Sequence, residues 1–145
     1  MKRGTAIGLV ILWSSILSAA QTIDLRLING KATVKKTFAP RTKTAAVFYR
    51  VAMRKGEPAA IGIDANSIFL SSENECSMFF ELFDPAGKAV FIGDDPVGIG
   101  EWRGTVEMTG YHKIKAYMGC LEGFSNSDLT RRRPRFNYSL SVSIK

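Results

Sequence analysis

"NYSLSVSIK", Asn137 to Lys145, alternates along its whole length. Tyr138, Leu140, Val142 and Ile144 fall on one face, and Ser139, Ser141, Ser143 and Lys145 fall on the other. Successive side chains of a strand point to opposite sides, so this segment reads as a strand with one buried and one solvated face, as antiparallel sheets provide.

The same grammar recurs upstream. In "YHKIKAYM" (111–118), His112, Ile114, Ala116 and Met118 share a face that belongs in the core, while Tyr111, Lys113, Lys115 and Tyr117 point away. His112 heads the apolar set at a strand end, the usual place of a hydrogen-bonded, partly buried imidazole. Further short runs are "TIDLRLI", ending at Asn29-Gly30, "KATVKKTF", ending before Pro40, and "AAVFYRVAM", ending in "RKGEP". "PAAIGI", "CSMFFELF", "AVFIG" and "EWRGTVEM" complete the series, each bounded by turn residues. "DPAGK" (84–88) places proline second and glycine fourth, a type I turn suited to a hairpin. Thr109-Gly110 reads as the turn between "EWRGTVEM" and "YHKIKAYM", forming a hairpin tip. Only "SIFLSSENECSMFFELF" leaves room for a competing helical turn. Eight or nine short strands without a repeat or a long helical period specify an all-β chain, an antiparallel sandwich of jelly-roll-like character.

The N-terminus carries a different signal. Lys2 and Arg3 precede the uncharged "AIGLVILWSSILSAA", and Ser18-Ala19-Ala20 offers small residues for cleavage before Gln21. This is the pattern of a secretory signal peptide over residues 1–20, too short for a membrane span. Residues 21–145 then form one exported domain without a stable membrane span. They keep 18 Lys and Arg against 13 Asp and Glu, a net charge of +5. Cys76 and Cys120 are the only cysteines. An even count in an exported chain points to a disulfide, worth about 4 kcal/mol for a loop of this length on the chain-entropy model.

Catalytic chemistry is poorly supplied. His112 is the single histidine, no glycine-flanked nucleophile-elbow serine occurs, and the cysteines are committed to each other. The acids of "GDDP" and "ENE" sit in turn contexts that favour capping or solvation. No catalytic residue, cofactor or metal site is therefore assigned, and one histidine is too few for an ordinary zinc centre.

The succession "VFYRVAMRKGEPAAIGI", "FELFDPAGKAVF", "GEWRGTVEMTGYHKIKAY" and "RFNYSLSVSIK" resembles the PPC-like β-sandwich family of exported bacterial proteins. It is most similar there to the periplasmic inhibitors of g-type lysozyme. The resemblance implies a periplasmic, non-enzymatic protein that inhibits a lysozyme, g-type favoured, by presenting a rigid turn to its active-site cleft. In such families a Ser-Gly pair and a following tyrosine make the contact; the matching positions here are Thr109, Gly110, Tyr111 and His112. Threonine retains the hydroxyl, and glycine permits the tight backbone. The tyrosine position itself is taken by His112, with Tyr111 one residue early and therefore on the opposite strand face.

A second reading rests on charge. "RRRPRFNY" places Arg131, Arg132, Arg133 and Arg135 after the polar stretch "LEGFSNSDLT", which lies outside the strand pattern and reads as a loop. Arginine forks suit phosphate or carboxylate, so the alternative partner is an envelope glycan or lipopolysaccharide. Nucleic acid is a poor partner for an exported domain. Trp102 beside Arg103 reads first as a sheet-face or core residue and second as a sugar-stacking platform.

Overall fold

The computed structural model describes residues 21–93 and 100–145. The leader read over residues 1–20 and the acids of "GDDP" lie outside the described residues.

Two sheets face each other. One orders β1 (Thr22–Asp24), β3 (Ala46–Met53), β9 (Gly110–Cys120), β6 (Glu75–Phe83) and β5 (Ile68–Phe69), with β7 (Ala89–Ile92) also paired to β6. The other orders β2 (Lys31–Phe38), β10 (Phe136–Ile144), β4 (Pro58–Ala65) and β8 (Gly100–Thr105). The alternation of the closing strand holds: Tyr138, Leu140 and Val142 are buried between the sheets. Val51, Phe80, Leu82 and Ile114 meet them from the six-stranded sheet, and Ile61 and Ile63 lie beside them on β4. Removing this apolar surface from water, at about 25 cal/mol per Å2, is the main force that presses the sheets together.

Cys76 and Cys120 stand directly opposite each other in the β6–β9 pair and form the expected disulfide. Asp84–Lys88 makes the expected hairpin, with Asp84 Oδ1 accepting from the Ala86 and Lys88 amides at 2.9 Å each. The stretch in which a helical turn competes contains no helix: β5 and β6 pair with each other across a bend at residues 70–74. Cys76, Met78, Phe80 and Leu82 bury one side of β6 against the core.

Four expectations require correction. The described residues form ten strands, not eight or nine. "TIDLRLI" keeps strand pairing only over Thr22–Asp24, and its pairing with β3 is parallel because the intervening β2 belongs to the other sheet. The polar stretch after Cys120 is not simply a loop, because Asn126–Arg132 form a helix, α1. Ser125 and Asp128 build a reciprocal capping box, Leu129 is fully buried, and Arg133 closes the helix in a left-handed conformation. Finally, Thr109-Gly110 does not close a hairpin. β8 pairs with β4 and β9 with β3 and β6, so residues 106–109 carry the chain from one sheet to the other.

Candidate functional site

That change of sheet builds a corner. β3 and β4 also belong to different sheets, so the turn at residues 54–57 makes a second crossover beside the first. Their polar backbone groups satisfy each other. Gly56 N–H donates to Val106 O at 2.8 Å, and Val106 N–H to Glu57 O at 2.9 Å. Thr109 Oγ1 accepts from the Lys55 amide at 2.9 Å. Glu57 tightens the turn by accepting from the Arg54 amide at 2.9 Å.

The third component is the Asp84–Lys88 turn. Gly110 has φ +143°, a region that side chains rarely adopt, and a Cβ there would stand 2.9 Å from Pro85 Cγ. Glycine is thus required both by the backbone and by the proline ring packed against it.

Beyond this pivot, β9 sends its side chains to opposite faces. Tyr111 is 58% exposed, whereas His112 is 3% exposed. The Arg50 guanidinium lies 4.6 Å from the centre of the Tyr111 ring, a cation–π contact. Arg50 is itself held by Asp24, through Nε to Oδ1 and through Nη2 to Oδ2 at 3.1 Å. The hydrogen bond from Arg50 keeps the Asp24 carboxyl below the usual carboxylate range. Inside the sandwich, His112 Nδ1 lies 3.2 Å from Gly110 O.

Of the four sequence-selected residues, Thr109, Gly110 and Tyr111 therefore come together at the surface, and His112 supports them from within. Arg50, Lys55 and Pro85 were not singled out in the sequence. Their turns were visible, but their convergence depends on contacts far apart along the chain. The corner carries Arg54, Lys55 and Lys88 against Glu57, Asp84 and Glu107 and is locally balanced in charge.

The arginine group lies beyond the other end of β9, about 30 Å away along an 11-residue strand. Arg131 and Arg132 occupy the last turn of α1, where their charge complements the helix dipole, and Arg131 pairs with Asp128 at 3.2 Å. Arg132, Arg133 and Arg135 are exposed. Trp102 faces inward and is half-buried, with its indole against Gly104 of the same strand. Among the described residues, no group of three or more His, Cys, Asp or Glu is placed to hold a metal ion. No helix among them is long and apolar enough to cross a membrane.

No family model matches the chain, and no curated protein matches it in sequence. Among solved structures, it is similar to Aeromonas hydrophila PliG, a periplasmic inhibitor of g-type lysozyme, with 23% identity and a TM-score of 0.58. That match covers 86% of this chain and 96% of the other. Salmonella Typhimurium PliG, also a periplasmic inhibitor of g-type lysozyme, matches at 15% identity and a TM-score of 0.52. It covers 88% of this chain and 100% of the other. The chain is thus built on the two-sheet fold of the periplasmic g-type lysozyme inhibitors.

Proposed function

We propose that this chain is an exported, periplasmic and non-enzymatic inhibitor of lysozyme, g-type in preference, and that the corner around Thr109, Gly110 and Tyr111 enters the enzyme's cleft. The observation that carries the reading is the fold likeness to Aeromonas hydrophila PliG across 96% of that inhibitor. The corner adds physical support. An inhibitor gains affinity when its contacting segment is already fixed before binding, because less conformational entropy is lost on association. Three hydrogen bonds between the crossovers, the Pro85 contact and the Arg50 cap supply that fixation here. The balanced charge of the corner also limits repulsion from a basic enzyme surface, an effect felt mainly in association rate.

His112 acts as an internal brace beside the Gly110 carbonyl, and Tyr111 supplies the exposed ring. Lysis of peptidoglycan by g-, c- and i-type lysozymes, measured with increasing amounts of the chain, tests the reading. Inhibition of the g-type enzyme is expected. Tyr111→Ala should raise the half-inhibitory concentration at least about tenfold, the ratio that corresponds to 1.4 kcal/mol. Arg131→Ala/Arg132→Ala/Arg133→Ala should leave it nearly unchanged. Failure to inhibit any of the three classes rejects the reading.

A further inference from the structure

A cavity of about 370 Å3 opens between β7 of one sheet and β8 of the other. The spacing of Trp102 and Gly104 helps to shape it. Both residues face inward on β8, and a Cβ at Gly104 would lie 2.7 Å from the Trp102 ring. The missing side chain therefore lets the indole lie along its own strand and form one wall. Leu82 and His112 contribute from the opposite sheet, and Asp84 and Lys88 line the opening.

His112 adds a buried imidazole to a mixed lining, in which Asp84, Lys88, Thr105 and Glu107 stand beside the apolar Leu82 and Trp102. The residue is 3% exposed, and Nδ1 lies beside the Gly110 carbonyl. Nε2 has no hydrogen-bond partner among the described residues, yet it is not sealed from solvent. His112 is one of the residues that line the cavity. A buried polar group of this kind is satisfied by water or by a ligand that can hydrogen-bond.

We propose that this cavity, which borders the lysozyme-facing corner at Asp84, Lys88 and Glu107, binds a single uncharged pyranose ring. Its volume lies near the lower end of the range for small-molecule sites, about 300–1,000 Å3, which suits one substituted ring. A pyranose offers an apolar C–H face to the indole and hydroxyls that both donate and accept. His112 Nε2, the Asp84 carboxylate and the Lys88 ammonium are matched by such hydroxyls. Asp84 and Glu107 against Lys88 leave the lining with an excess of carboxylate, which favours a neutral guest over an anion. A purely apolar guest would leave the imidazole without a partner after displacing its water.

Nitrogen-15 NMR of the full chain with N-acetylglucosamine, glucose or indole at about 10 mM is the test, at which a millimolar complex is substantially populated. At least one sugar should shift the Trp102 indole N–H together with the Leu82 and His112 amides. Trp102→Leu should weaken that binding at least about tenfold. Ala89→Trp, at an exposed position beside the opening, should abolish it while preserving the dispersed spectrum. Tyr111→Ala should retain it, because Tyr111 does not line the cavity, so sugar binding and lysozyme inhibition fail in different variants. No shift with either sugar overturns the proposal. So does binding of indole in place of sugar, or sugar-induced shifts that persist in Ala89→Trp.

Discussion

Gly110 and Pro85 meet where two segments remote in sequence converge, with no room for a Cβ between the glycine backbone and the proline ring. The contact ties the start of β9 to the Asp84–Lys88 turn. Gly110→Ala would force a side chain into a left-handed backbone and against Pro85. A loss of roughly 1–3 kcal/mol is expected, read from the midpoint of urea unfolding. Pro85→Ala removes the nearer ring carbon, Cγ, and keeps Cβ at 3.1 Å, so the double variant should recover part of the loss while the strain from φ remains.

The buried hydroxyls of Tyr49 and Tyr138 are hydrogen-bonded to each other and join the two sheets. Tyr49→Phe leaves the Tyr138 hydroxyl without this partner and should cost about 1–3 kcal/mol. Changing both to Phe should cost less than the sum of the single changes, a difference that a double-mutant cycle measures directly.

The same pair sets an alkaline limit. Burial raises the pKa of both phenols, and the hydrogen bond that Tyr49 shares with Tyr138 raises that of Tyr49 further. The unfolded phenols release protons near pH 10, whereas the folded ones retain them. Their contribution to stability is therefore fully present below about pH 10 and declines as the pH rises above it. Circular dichroism against pH should show unfolding begin there, and replacement of both residues by Phe should flatten this part of the profile.

At the other extreme, Asp24 is held below its ordinary range first by the hydrogen bond from Arg50. What it contributes is present above about pH 4 and lost as the pH falls through its depressed folded value. Loss of the pair frees Arg50 from its anchor beside Tyr111. Asp24→Asn should reproduce at neutral pH the change in Tyr111 ring resonances that acid causes in the wild type. Because the pair is exposed, only a small effect on global stability is expected.

How much of this was legible depended on whether the controlling interaction was local. The alternation of Tyr138, Leu140, Val142 and Ile144 is imposed by neighbours one residue apart, so β10 and its buried face could be read directly. The disulfide followed from a count of two. The crossover at residues 106–109 reads as a hairpin in the sequence because a tight turn has the same local chemistry whether its strands pair with each other or diverge into two sheets. Only the partners of β8 and β9, far away in sequence, decide that outcome. Helix α1 had a local signal in Ser125 and Asp128, the spacing of a capping box, but seven residues are too few to establish a helical period. Tyr111 could be assigned to an outward face from the strand pattern, whereas its Arg50 cap could not, since it depends on β3 and β9 lying side by side.

The central claim places the lysozyme contact at the corner of Thr109 and Tyr111 rather than at the arginines of α1. Amide hydrogen exchange of the chain, alone and mixed with a g-type lysozyme, tests it most directly. Protection should appear over residues 54–57, 84–88 and 106–111 and be absent over residues 126–135. Protection confined to residues 126–135, or no protection at an enzyme concentration that saturates inhibition, would contradict it.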